Sequence, residues 1–393
     1  MISLSSRERM LRTIECQNTD YFPCAFMSFS ALRNRLDDDF YRLVQAELEL
    51  GLDSFMFLPY SPRRSRLDHP DLRGLPVHFH PEVKTKEWRE QVEGDYDILH
   101  KEYLTPGGKL YTEVRLSDDW NHGNHIPFID DYQIPRALKP LISQPADLEA
   151  LQFLLRPPDE DTRDYFIKEQ QRAAAFAADK GVLLVGGWGV GMDMADWLCG
   201  MQGLMVQAIT NTDFVEDLLD MIHQWNMERM HLVLSGHPDL FIRRAWYEGC
   251  DFVLPDFYQR VILPRLKKEV DLAHEYGAKF GYICSSGLNP MLDFHKETGF
   301  DVLIGIDPVQ GTHTDMKLVK SSYDNDISVW GGVSGAVTVE LGSEDEIKTA
   351  IRKAVDELGP EGLILSPVDN ITVDSPKTWE NVRTFIKEWQ SYA

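Results

Sequence analysis

The chain has 393 residues, 43% of them hydrophobic, and a formal net charge of −23 from 63 acidic and 40 basic side chains. That length and apolar content support a large folded core, while the acidic balance argues against a nucleic-acid or anionic-membrane partner, whose phosphates need clustered Lys and Arg. Five cysteines, Cys16, Cys24, Cys199, Cys250 and Cys284, are scattered without any Cys-x-x-Cys spacing, which suggests neither a disulfide framework nor a structural zinc knuckle and fits a reducing cytoplasm.

Met1 to Asn18 is polar and charged with no apolar h-region, and no later run reaches the length of a membrane span, so a cytoplasmic protein is expected. Beyond it, short β-branched or apolar runs alternate with longer amphipathic segments, the pattern of βα units around a parallel sheet. Strands are predicted near Phe22 to Met27, Ser54 to Leu58, Val182 to Gly186, Leu240 to Trp246, Lys279 to Cys284, Val302 to Ile306, Ser328 to Gly331 and Leu363 to Ser366. Eight strands with intervening helices predict a (β/α)8 TIM barrel, with residues 1–393 forming one domain.

The alternation breaks over residues 60–158, a stretch rich in Pro, Gly, His and Asp and far longer than an ordinary βα loop. We read it as an insertion over the barrel mouth. Within it, Ile98 to Tyr103 and Lys109 to Leu116 alternate apolar and polar residues around Thr105-Pro106-Gly107-Gly108, which predicts a β-hairpin able to serve as a lid. Pro145 to Leu155 predicts a short helix, stopped by Arg156-Pro157-Pro158.

Side chains at the carboxyl ends of barrel strands converge on one mouth. Lys279 to Gly287 is an apolar strand that ends in a thiol, two hydroxyls and a glycine, which places Cys284 against a ligand. Asp307 leaves the sixth strand ahead of Pro308-Val309-Gln310-Gly311 and His313; with Asp369 after the last strand, Asp307 and His313 are the catalytic candidates. The loop histidines His122 and His125, and His78 and His80, are weaker candidates for the same mouth. Gly186 to Gly191 lacks the spacing of a dinucleotide fingerprint and an acidic ribose ligand. Its glycines suit close approach to a bulky ligand with Trp188 and Met192 as apolar walls, and Trp246, Tyr247, Phe257 and Trp330 add aromatic surface, although core packing is the commoner use of such residues.

Several local strings occur in one order: Ser6-Arg7-Glu8-Arg9-Met10, Asp20-Tyr21-Phe22-Pro23, Leu198-Cys199-Gly200-Met201-Gln202, Glu248-Gly249-Cys250-Asp251, Cys284-Ser285-Ser286-Gly287, Trp330-Gly331-Gly332-Val333 and Asn381-Val382. In this order the chain resembles the uroporphyrinogen decarboxylase superfamily, which also holds zinc-dependent methyltransferases that move methyl groups to or from corrinoid proteins or thiols. The resemblance implies a TIM barrel. It departs from the tetrapyrrole decarboxylases at Ser28 to Arg35, where their arginine-rich grip on propionates is absent; Arg33 and Arg35 read as helix-surface residues.

Against the methyltransferase branch, whose fifth strand ends in His-x-Cys-Gly, alignment on Gly287 puts Cys284 at the His and Ser286 at the Cys. Asp369 falls near the place of a further Cys. Against ether-cleaving members, Glu248 matches the first Glu, Leu263 replaces the second and Cys284 replaces the His. The resemblance thus implies an O/S/O zinc site of Glu248, Cys284 and Asp369. The alternative reading keeps Cys284 as a small buried thiol, Glu248 as a salt-bridged carboxylate and Asp369 as a helix N-cap. Without metal, Glu248, Asp251, Asp307 and Asp369 would form an acidic ring suited to proton transfer.

The leading expectation is a methyltransferase that moves a methyl group from a small O- or S-methyl donor to a corrinoid, with zinc as Lewis acid. No corrinoid-binding motif occurs in the chain, so the corrinoid would come from a partner protein. Two alternatives are a cofactor-free decarboxylase or lyase that uses the mouth carboxylates, and a non-catalytic ligand-binding homologue. A homodimer is a further expectation from the resemblance.

Overall fold

The structure, a computed structural model, describes residues 3–58 and 78–392; the start of the expected insertion, from residue 60 to 77, lies outside them. The chain forms two compact units. One comprises residues 1–58, 170–186 and 236–393, and the other residues 59–169 and 187–235. The second unit therefore takes in residues 187–235 as well as the stretch that interrupts the strand and helix alternation.

The first unit is built on a curled parallel sheet. Its strands are β1 (Phe55–Phe57), β6 (Leu183–Gly189, of which the first four residues belong to this unit), β7 (Leu240–Arg244), β8 (Lys279–Ile283), β9 (Val302–Ile306), β10 (Ser328–Ser334) and β11 (Leu363–Val368), hydrogen-bonded in that order. Every residue of β1, β9, β10 and β11 is buried, as expected of parallel strands covered on both faces, and this explains their continuous apolar runs. Seven of the eight expected strands form this ladder. The remaining segment, Phe22 to Met27, makes a single parallel bridge, from Cys24 to Leu365.

The chemistry of that segment accounts for its irregularity. Pro23 has no N–H to give, the Cys24 N–H donates to Asp53 Oδ2 at 3.2 Å, and the Met27 N–H donates to Ser366 Oγ at 2.9 Å. Side chains thus replace ladder partners. What remains of the ladder is Ala25 N–H to Leu365 O at 3.1 Å, Leu365 N–H to Pro23 O at 2.9 Å and Asp53 N–H to Cys24 O at 2.8 Å. The buried Arg9 guanidinium ties the N-terminal helix to this region through Asp20 at 2.8 Å and Asp53 at 2.5 Å.

The second unit contains an antiparallel sheet in the order β2 (Lys84–Glu90), β3 (Ile98–Thr105), β4 (Gly108–Arg115) and β5 (Ala137–Lys139). β3 and β4 form a hairpin in which Thr105 faces Gly108, and the register pairs Leu99 with Val114 and Tyr103 with Leu110. Leu99 and Val114 pack with Trp120 and Ile126 as a small core. The expected helix over Pro145 to Leu155 is helical at Asp147–Leu151; beyond it, Phe153 and Leu154 donate to carbonyls three residues back, so the chain tightens into turns before the two prolines. No helix among the described residues is long and apolar enough to cross a membrane.

Candidate active site

Within the first unit the exits of β7, β8 and β9 stack backbone against backbone. The Cys250 N–H donates to Gly287 O at 3.0 Å, and the Gly287 N–H donates to Thr312 O at 2.9 Å. Gly287 has φ +65°, and a Cβ there would lie 2.5 Å from the Cys250 nitrogen; a Cβ on Gly249 would lie 2.0 Å from Ser286 O. These two glycines are needed because a side chain cannot enter the contact between the loops. Three exit loops are thereby fixed as one platform.

Beneath the platform lies a buried ionic cluster. Arg243 on β7 is 2% exposed, Glu248 is fully buried, and Glu269, on the helix Leu263–Glu275, is 1% exposed. Arg243 grips Glu248 bidentately, Nη1 to Oε2 at 2.6 Å and Nη2 to Oε1 at 2.8 Å. Its Nε stands 2.8 Å from Glu269 Oε2, an ion pair whose angle falls outside hydrogen-bond geometry. Burial opposes the guanidinium charge, but the two carboxylates outweigh it and hold Arg243 well above its ordinary pKa.

Tyr282 stands opposite Arg243 in the β7 and β8 register and donates its hydroxyl to Glu248 Oε2 at 2.7 Å. Burial, with Glu248 beside it, pushes the phenol pKa well up, so it remains a donor. Its ring is backed by Phe300 and His295, with centroids 5.1 and 5.6 Å away. His295 Nδ1 lies 2.6 Å from the Tyr323 hydroxyl, and burial lowers the imidazole to about 3, which keeps it neutral.

Cys284 immediately follows β8, fully buried, with its thiol donating to Ser286 O at 3.6 Å. Asp307 immediately follows β9 and is 1% exposed. Its Oδ1 accepts from the Val309 and Gln310 N–H groups at 2.8 and 3.1 Å, and its Oδ2 accepts from Gln310 Nε2 at 3.1 Å. Gln310 Nε2 also lies 3.2 Å from Ser334 Oγ. His313 is exposed at φ +46°, its carbonyl accepting from Asn289 N–H at 2.9 Å. Asp369 is exposed at φ +68°. The helix after it begins at Pro376 with Ser375 as N-cap, so the N-cap alternative for Asp369 gives way.

The zinc donors Glu248, Cys284 and Asp369 do not fit a metal as arranged here. Both Glu248 oxygens are taken by Arg243, one of them also by Tyr282, and a cation cannot share them with a guanidinium at 2.6 Å without displacing it. No group of three or more potential ligands is assembled among the described residues. Three of the four carboxylates of the expected acidic ring are engaged locally. Glu248 is paired with Arg243, Asp307 is held by three donors, and the exposed Asp251 accepts from Thr312 Oγ1.

Among the aromatic candidates, Trp246 is half-buried, its ring 3.5 Å from where a Cβ on Gly305 would stand. Trp330 is 1% exposed and packs on Phe55, with its indole N–H donating to Ala25 O at 2.8 Å, which makes it a core residue in the first unit. Trp188 is half-buried in the second unit. The histidines of the second unit face local acids: His122 lies 3.3 Å from Asp130, His125 3.0 Å from Glu87 and His78 3.8 Å from Asp159. Sequence reasoning missed Arg243, Tyr282, Glu269 and Gln310. A charged residue inside an apolar strand, as at Arg243, was the available signal.

The family model described as Uroporphyrinogen decarboxylase (URO-D) matches residues 121–392. Among solved structures, a methyltransferase from Methanosarcina mazei superposes with a TM-score of 0.59 at 17% identity, covering 99% of each chain. A B12-independent methionine synthase from Shewanella sp. W3-18-1, in complex with selenomethionine, gives 0.50 at 10% identity over 94% of this chain and 97% of that one. Comparison with curated proteins finds no match. With a family model matching well over half its length, the chain belongs to the uroporphyrinogen decarboxylase (URO-D) family.

Proposed function

We propose that this chain is a methyltransferase acting on a small O- or S-methyl donor, with a corrinoid carried by a separate protein as acceptor. The observation that carries the reading is the set of exits from β7, β8 and β9, which brings a buried thiol, Cys284, and a fixed carboxylate, Asp307, onto one rigid platform. Such preorganised charge is the usual source of transition-state stabilisation. Methyl transfer is preferred among the chemistries a barrel-like fold can host because of the whole-length likeness to the Methanosarcina mazei methyltransferase.

In this reading the chain binds and orients the donor and excludes water, while the corrinoid supplies the nucleophile that accepts the methyl group. Asp307 faces the partial positive charge that develops on the departing methyl group, and Asp369 and His313 at the exposed rim exchange the proton that the released heteroatom takes up. Trp246 forms an apolar wall. Zinc, if bound, would polarise the heteroatom, and Glu248, committed to Arg243, would not be among its ligands.

The test mixes purified protein with methyl ethers and thioethers and reduced cobalamin, and follows the acceptor's visible spectrum. Protein-dependent methylation, lost in Asp307→Asn, supports the reading. A metal-free carboxy-lyase is the second reading, favoured by the three-donor grip on Asp307, since a fixed anion stabilises positive charge on a substrate. Release of CO2 from carboxylated substrates, with no methyl transfer from any donor, would replace the first reading by the second.

A further inference from the structure

Glu248 occupies the position at which the family resemblance implies a metal ligand, and its surroundings are those of a carboxylate that already has a resident cation. The pair is closed on every side described. Arg243 meets both oxygens, Tyr282 adds a second donor to Oε2, and Glu269 stands at the far edge of the guanidinium. All four residues are at most 2% exposed. A bidentate fork at 2.6 and 2.8 Å in a buried site is the strongest common form of ion pair, and a guanidinium that stays protonated at any accessible pH provides a permanent positive charge.

The grip also has a mechanical consequence. Glu248 opens the turn whose next two residues meet the β8 exit: Gly249 lies against Ser286 O, and Cys250 donates to Gly287 O. A Cβ on Gly249 would also stand 3.4 Å from the Cys284 thiol. Holding the Glu248 carboxylate therefore holds the backbone that walls Cys284.

We infer that Arg243 is the positioning residue of this site, and that its guanidinium serves as the built-in counter-charge of Glu248 in the place where a divalent metal would otherwise bind. A lysine cannot do this, because one ammonium cannot span both oxygens and Glu269 together. The inference concerns the ionic cluster and stands apart from the methyl-transfer reading. It is tested by zinc binding, so the two can fail separately.

The experiment measures zinc affinity of the full chain by competition with a chromophoric chelator, for wild type, Glu248→Gln, Arg243→Met and the double variant. Wild type and Glu248→Gln are expected to agree within twofold. Arg243→Met frees the carboxylate beside Cys284 and is expected to tighten zinc binding by at least tenfold, a gain abolished in the double variant. One tightly bound zinc per wild-type chain, lost in Glu248→Gln, would overturn the inference. If Arg243→Met does not fold, that wild-type comparison still decides, because glutamine keeps the carboxylate's shape and can still accept from Arg243. Arg243→Lys gives a second readout. Alkylation of Cys284 by iodoacetamide in the native state is expected to speed up at least fivefold as the loop loosens, and an unchanged rate in a folded Arg243→Lys protein would remove the positioning role.

Discussion

Arg243 and Tyr282 occupy paired register positions on adjacent parallel strands and converge on one carboxylate, Glu248. Paired residues on neighbouring parallel strands project to the same face of the sheet, so two donors of different chemistry arrive together without any loop to place them. Glu248 is reached from the strand it follows and from the next one. The site is thus built from the sheet outward, and the exit loops inherit its rigidity.

The energetic weight of this arrangement can be measured. Glu248→Ala leaves a buried guanidinium with Glu269 as its one remaining acidic partner among the described residues and is expected to destabilise the protein by about 3–5 kcal/mol. Tyr282→Phe removes one hydrogen bond to a charged acceptor and is expected to cost about 1.5–3 kcal/mol. Denaturant unfolding of the two variants checks both values. Equal, small losses below about 0.5 kcal/mol would mean that the cluster is hydrated in solution.

Glycine at the loop contact gives a second test, with its own control. Gly287→Ala places a methyl 2.5 Å from a backbone nitrogen, whereas Gly299→Ala has a similar φ, +79°, and open space around the new Cβ. Both pay the left-handed penalty of about 1 kcal/mol. Only Gly287→Ala must also separate two loops, so its melting temperature should fall well below that of Gly299→Ala. Equal melting temperatures would show that the loops part easily.

Much of the first unit was legible because parallel strands buried on both faces read as unbroken apolar runs, and β6 to β11 each fall on a predicted run. The segment Phe22 to Met27 reads the same way, yet its ladder is diverted to Asp53 and Ser366, which lie far away in sequence. Of the site, Cys284, Asp307 and the Gly287 turn were visible as strand-end residues. The commitment of Glu248 was not, since it depends on a register that pairs Tyr282 with Arg243 and on a helix that brings Glu269. Likewise, residues 187–235 carry the helices Met192–Cys199, Met201–Thr210 and Thr212–Leu234, and nothing local marks them as belonging with the second unit.

Asp307 offers a test on activity. Its carboxylate accepts from two backbone N–H groups and from Gln310 Nε2. Asp307→Asn turns one acceptor into an amide that opposes Gln310 and removes the fixed charge, and it is expected to lower turnover on the order of 10²-fold. Gln310→Ala leaves the charge and both backbone donors and should cost about tenfold or less. If both variants keep full turnover under the assay that gives the wild-type rate, Asp307 has no part in the reaction.

A buried carboxylate far from the site makes stability depend on pH in an unusual direction. Glu47 is 5% exposed, and its Oε2 accepts from Ser54 Oγ at 2.5 Å. Burial raises its pKa to about 8, with the Ser54 hydrogen bond pulling the other way. Between the ordinary carboxylate value of 4.5 and about 8, the folded chain binds a proton that the unfolded chain has lost, so stability falls as pH rises through this window. At pH 7 the cost is on the order of 3 kcal/mol. Glu47→Gln keeps an acceptor for Ser54 and removes the titration. It is therefore expected to melt several degrees above wild type at pH 8 and to match it near pH 4, whereas a constant difference at both pH values would mean that Glu47 titrates normally in the folded protein.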